Sequence, residues 1–155
     1  MRRGGALVAL FVPFLAVPVV RAADPTGLWW AEGGAAQVEI TRCVDALCGR
    51  VVWLRSPLDE DGCLVRDAEN PDPALRKRSL IGIDLLQDLR PSDADRHEWT
   101  GGEIYDPTSG RTYRAVLRMD GTDRLRLRGY LGIELLGRTT TWIRVGREMQ
   151  CREAA

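Results

Sequence analysis

The 155 residues hold one histidine, His97, and one lysine, Lys77. A single imidazole, with only one close cysteine pair and no second pair near it, does not make a zinc ligand set. His97 stands among Asp93, Asp95, Arg96 and Glu98, no serine or cysteine nucleophile can be assigned to it, and it reads as a surface histidine. Charge of one sign is not in excess, with 22 basic and 22 acidic residues. No long helical periodicity is present, which excludes a bundle or an alternating α/β fold. The acidic run Asp59-Glu60-Asp61-Gly62 lacks the alternating oxygen spacing of a calcium loop and reads as a solvated turn. Glu103 and Asp106 could be a pair of carboxylates for glycoside hydrolysis, but Asp106 is better explained by the turn it begins. Neither an enzymatic activity nor a cofactor is expected.

The one long apolar stretch lies at the start. Met1-Arg2-Arg3 is followed by an apolar run over 6–20, then Val20-Arg21-Ala22 with small residues where a signal peptidase reads. Pro13, Pro18 and the short length argue against a membrane-spanning helix. The first cysteine is Cys43, so no lipid-anchored cysteine follows the run. Cleavage is therefore expected after Ala22, leaving residues 23–155 as one domain in the periplasm or outside the cell. Without Arg2, Arg3 and Arg21 the chain carries 19 basic against 22 acidic residues. That balance gives no support for nucleic-acid binding. Arginine supplies nearly all the positive charge, which genome composition explains most simply.

What fills the remainder is short strands. Leu125, Leu127 and Gly129 alternate with Arg124, Arg126 and Arg128, the period of two that marks a half-buried strand. Thr139, Thr140, Thr141, Trp142, Ile143 and Val145 supply β-branched and aromatic residues for a partner strand at 138–145. Earlier candidates lie at 27–31, 35–41, 47–54, 80–86, 98–105 and 111–119. The last two are joined by Asp106-Pro107-Thr108-Ser109-Gly110, strong hairpin chemistry. Eight strands with turn signals at short intervals predict an all-β fold, an antiparallel barrel or sandwich, and a single barrel is the better of the two because closure leaves no free edges. Residues 55–79 form a connection too long to be a plain loop. Its apolar pieces, Leu64-Val65 and Ala74-Leu75, predict that it packs down as a lid or plug. Within it Asp72 can cap, and Pro73 begin, a short helical turn. Ile81-Gly82-Ile83-Asp84-Leu85-Leu86 is echoed by Leu131-Gly132-Ile133-Glu134-Leu135-Leu136, one short match and no repeat.

Export makes the cysteines disulfide candidates. Cys43 and Cys48 frame Val44-Asp45-Ala46-Leu47 between two strand patterns, so a hairpin would bring their sulfurs onto facing strands. Trp53, Tyr105, Tyr113, Tyr130 and Trp142, with Arg138, are the candidate lining of a ligand cavity, although aromatic residues on strands more often build core. The arginines at 114, 118, 124, 126 and 128 could meet anionic headgroups or polysaccharide, or simply coat the barrel.

Gly27-Leu28-Trp29 followed by late arginines resembles the lipocalin and wider calycin pattern. That resemblance implies a tryptophan closing one end of the barrel beneath Arg138 or Arg144. A fuller resemblance is to a family of small exported bacterial proteins, domain of unknown function 2147. It rests on Asp24-Pro25-Thr26-Gly27-Leu28-Trp29, Leu47-Cys48-Gly49-Arg50, Pro57-Leu58-Asp59 and Asn70-Pro71-Asp72-Pro73-Ala74-Leu75-Arg76. It continues through Gly102-Glu103-Ile104-Tyr105-Asp106-Pro107, Gly110-Arg111-Thr112-Tyr113, Arg128-Gly129-Tyr130 and Gly137-Arg138-Thr139-Thr140-Thr141-Trp142. Cys63 and Cys151 stand outside that pattern and depart from it together, and with a total of four cysteines a bridge between them is expected. Two functions follow as expectations. One is a barrel holding a small apolar or amphipathic ligand. The other is a ligand-free protein that meets an envelope component through its arginine-rich surface.

Overall fold

The computed structural model describes residues 23–146. The leader with its cleavage site, and Cys151 with the bridge expected of it, lie outside the described residues. Eight strands run β1 (Gly27–Trp30), β2 (Ala36–Cys43), β3 (Ala46–Leu54), β4 (Asp84–Pro91), β5 (Glu98–Asp106), β6 (Arg111–Met119), β7 (Arg124–Tyr130) and β8 (Arg138–Arg144). Each pairs antiparallel with the next, and β8 pairs back onto β1 through Trp29↔Arg144 and Trp30↔Ile143, so the sheet closes into a barrel. Short 3-10 turns at Glu32–Gly34 and Glu134–Leu136 are the only helical elements among the described residues.

The alternation read from the sequence sets which side chains point inward. Ala115↔Gly129, Leu117↔Leu127 and Met119↔Leu125 face one another across β6 and β7, and Leu125↔Trp142 continues the layer into β8. With Trp29, Val38, Ile40, Leu47, Leu86, Leu89 and Trp99 they form a single buried cluster. Fully burying a side chain of this size contributes about 1.5–3 kcal/mol, so this cluster is the main source of stability.

The fourth strand departs from expectation. Residues 80–83 precede the strand, which runs from Asp84 to Pro91, starting later than the expected 80–86 and continuing five residues past its end. Its inward residues, Leu86 and Leu89, are three apart. Asp88 takes a left-handed conformation (φ 56°), and two residues of β4, Gln87 and Asp88, oppose the single Cys48 of β3 between Gly49↔Leu86 and Leu47↔Leu89. This β-bulge breaks the period of two that would reveal the strand.

One end of the barrel is sealed. The Trp29 ring is fully buried, and its indole N–H donates to the Pro25 carbonyl at 2.8 Å. The Arg144 guanidinium carbon lies 4.2 Å from the Trp29 ring centroid. Arg144 also donates to the carbonyls of Thr122, Thr26 and Asp24 at 2.7–2.8 Å, tying the β6–β7 connection and the chain before β1 to the end of β8. Of the two arginines expected over the tryptophan, Arg144 is the one that packs there. The hairpin turn at the same end carries the Cys43–Cys48 disulfide, with Cα atoms 5.8 Å apart. Cys63 is exposed and bonded to neither.

Candidate functional site

Antiparallel order places the Glu32–Gly34 turn, the β5–β6 turn, the β7–β8 connection and the long segment before β4 together at the other end. The buried cluster stops short of this end, which opens into a cup of about 500 Å³. Its floor and walls are Leu85, Ile104, Tyr113, Leu127, Thr140 and Trp142. Gly129 adds space: it is the inward residue of β7 one step above Leu127, and a Cβ there would lie 3.3 Å from Ile104. The rim is polar. Arg138, the first residue of β8, donates to Glu32 at 3.1 Å, and Thr140 Oγ1 donates to the Leu127 carbonyl at 3.4 Å. Pro107 and Thr108 close the rim on the hairpin side, where Asp106 accepts the Thr108 N–H and the Ser109 hydroxyl.

The long connection packs down, as its apolar pieces imply, and it does so around a buried carboxylate. Asp67 is wholly shielded from solvent. One oxygen accepts the Tyr105 hydroxyl at 2.5 Å. The other accepts Arg78 Nη2 at 2.8 Å and Asn70 Nδ2 at 2.7 Å. Glu69 passes so close to Gly110 that a Cβ at that glycine would run into the Glu69 carbonyl oxygen. The segment is thereby pinned beside the mouth, against the rim ends of β5 and β6. Asp72 caps a turn by accepting the Ala74 N–H at 2.9 Å, and the i→i+3 bonds Leu75 to Asp72 and Arg78 to Leu75 follow. Burial pushes the Asp67 carboxyl up, but the hydrogen bonds from Tyr105, Asn70 and Arg78 outweigh it and hold it below its ordinary value. Burial, and then the Asp67 carboxylate, push the Tyr105 phenol up to about 12.

Of the six residues expected to line a cavity, Tyr105, Tyr113, Trp142 and Arg138 line the cup. Tyr130 does not, because it pairs with Arg114 on the outer face of β7. Trp53 does not either. Its ring stands edge-on to Trp30 at 5.2 Å, beside the register shift at Gln37 and Val38. Leu85, Ile104, Leu127, Gly129, Thr140 and Glu32 went unread. Parity could have supplied Leu127, Gly129 and Thr140, which continue the inward alternation through Leu125 and Trp142. Glu32 comes from an irregular turn that offers no periodic signal.

Known proteins agree with this architecture. A Helicobacter pylori protein, HP1028, described as belonging to the lipocalin family, superposes with a TM-score of 0.70 at 23% identity, over 84% of this chain and 89% of that one. That likeness shows the fold. No curated protein matches the chain. The model of a bacterial family matches residues 27–144, from the first residue of β1 to the last of β8, and so takes in the sealed end, the cup and the Asp67 segment alike. The chain belongs to that family, described as an uncharacterized protein conserved in bacteria (DUF2147).

Proposed function

We propose that this is an exported barrel that carries a small amphipathic ligand in the cup, apolar part down and polar part at the rim. The observation that carries the reading is the cup itself, an opening of about 500 Å³ with Leu85, Ile104, Leu127 and Trp142 below and Arg138, Glu32 and Tyr105 above. Its size falls within the range of small-molecule sites, about 300–1,000 Å³, and its lining has their composition of mainly apolar walls with few polar groups. The Arg138–Glu32 pair is a ready polar contact, since Arg138 is 83% exposed along its side chain and free to exchange Glu32 for an anionic ligand group. The apolar leader supports delivery to the periplasm or beyond, with the mature chain beginning at Ala23.

The test is native mass spectrometry of protein purified without denaturation from an exporting host, with the N-terminus read from the same spectrum. A retained small molecule is expected on the wild type and not on Thr140→Phe, which fills the cup from β8. A wild-type spectrum of bare protein, together with failure of both proteins to take up an apolar fluorophore, would dispose of the reading.

A further inference from the structure

We propose that the β7–β8 connection and the arginine face beside it seat the barrel on an anionic lipid bilayer, with the cup mouth turned toward the membrane. Leu131, Ile133, Leu135 and Leu136 in this connection are 58%, 64%, 86% and 77% exposed. Four large aliphatic side chains in six residues, standing in water, lose hydration free energy that burial would recover. They are not loose. Arg128 grips the connection by donating to the carbonyls of Glu134 at 2.8 Å and Leu135 at 2.9 Å and to the Thr139 hydroxyl at 2.8 Å. The Gly137 N–H closes the turn onto the Glu134 carbonyl. In the similar hexapeptide at 81–86 Ile83 and Leu86 are buried, Leu85 lies in the cup and only Ile81, 36% exposed, stands out, so a like pattern is largely absorbed there and displayed here.

Charge identifies the occupant. Strands β6, β7 and β8 contain eight arginines and no acidic residue, although the whole chain is balanced. The outward arginines adjoin the displayed side chains, because Arg118, Arg126 and Arg128 line one groove with Leu135. The acidic groups at this groove are Glu134 and Glu98, with Asp95 3.9 Å from Arg118. Glu98 is held by Arg118, while Arg126 has no side-chain partner among the described residues. Apolar residues displayed beside unneutralised guanidinium groups match the two layers of an anionic membrane surface, hydrocarbon beneath and phosphate above. A partner protein fits less well. A standard interface buries about 800 Å² on each side, more than four aliphatic side chains expose. The connection leads from Gly129 to Arg138, both at the cup, so docking here brings the mouth to the lipid. The proposal does not require that the cup hold a ligand.

The experiment is flotation of the full chain with two kinds of vesicle, pure phosphatidylcholine and phosphatidylcholine with phosphatidylglycerol. Any leader that remains is common to all variants, so the comparison among them isolates the loop. Wild type should float with the phosphatidylglycerol vesicles and lose most of that binding in high salt. The double variant Ile133→Asp with Leu135→Asp, both at exposed positions and checked for an unchanged circular dichroism spectrum, should bind at least roughly tenfold more weakly. Arg126→Gln should bind roughly fivefold more weakly on phosphatidylglycerol vesicles alone, the effect of one cation at such a surface. The proposal is overturned if wild type stays at the bottom with both vesicles or if the double variant floats undiminished. It is equally overturned if the double variant abolishes only a concentration-dependent dimer in sedimentation velocity.

Discussion

The Tyr105 hydroxyl lies 2.5 Å from a carboxylate oxygen of Asp67, 38 residues away in sequence, and this bond joins the long connection to the barrel rim. Its pH dependence has a definite sign. The Tyr105 phenol is raised from 10.0 to about 12 in the folded state, so the stability it contributes is fully present below pH 10 and is lost as pH rises through 12. Asp67 is lowered from 3.8, so its contribution is present above that value and is lost as pH falls below it. Tyr105→Phe should cost about 1–2 kcal/mol at neutral pH. In urea titrations the gap between wild type and Tyr105→Phe should shrink between pH 10 and 12. A gap that stayed constant across that range would mean the bond is not formed.

Asp67→Ala should be the more damaging change. It leaves Arg78, 38% exposed along its side chain, without its carboxylate, and it leaves the Asn70 amide and the Tyr105 hydroxyl only their mutual bond of 3.2 Å. Removing one member of a buried pair costs about 3–5 kcal/mol, and the partial exposure of Arg78 puts this site near the lower value. Hydrogen exchange should show residues 66–79 losing protection while β6–β8 retain theirs. Uniform loss across the barrel would show that the segment and the barrel fold as one unit.

At the sealed end, Arg144→Lys should separate the planar guanidinium from simple positive charge. A lysine can keep one of the three carbonyl bonds but cannot fork to Thr122, Thr26 and Asp24 while lying over Trp29. The expected loss is about 1–2 kcal/mol, rising to about 2–4 kcal/mol for Arg144→Ala, from cation–π attraction and hydrogen bonding together. The midpoint of urea unfolding measures both. Equal losses for the two variants would show that the fork contributes nothing.

The sealed end was the more legible half of the molecule, and the reason is periodicity. Gly27-Leu28-Trp29 and the late arginines lie on regular strands, and β6 through β8 alternate without interruption, so the strands and their inward faces could be read directly. The strand at 84–91 could not, because the bulge at Asp88 sets Leu86 and Leu89 out of phase. Trp53 was misplaced by a second register shift, at Gln37 and Val38. Tyr130 is a different case: the alternation through Leu125, Leu127 and Gly129 already put it on the outer face, and its aromatic character outweighed its parity. Asp67 was illegible in principle. A buried aspartate is recognisable only from partners that the fold brings from distant positions, here Tyr105 and Arg78.

The Cys43–Cys48 bridge closes a very short loop, so its stabilisation in the chain-entropy model is only about 2 kcal/mol. Reduction should lower stability by that amount and leave the barrel folded. Beside the bridge, Val44 is 97% exposed and held at φ 57°, a conformation costly for a β-branched residue. Val44→Asn should therefore raise stability by about 1 kcal/mol. If it does not, the turn is relaxing in solution to a conformation that valine tolerates.

Arg118 and Arg126 stand directly opposite one another on the outer face of β6 and β7. Like charges in that position oppose pairing, and Glu98 relieves only Arg118, whose guanidinium it binds. Nothing in the packing of the barrel calls for a second cation there. Arg126→Gln should therefore stabilise the fold by about 0.2–1 kcal/mol at low salt, the usual size of a cross-strand charge effect. The gain should vanish in high salt, where the repulsion is screened. The same substitution weakens vesicle binding if the arginine face meets a membrane, so stability and binding should move in opposite directions. A variant that lost stability at low salt would show that Arg126 has a structural partner in solution, and the repulsion argument would fail with it.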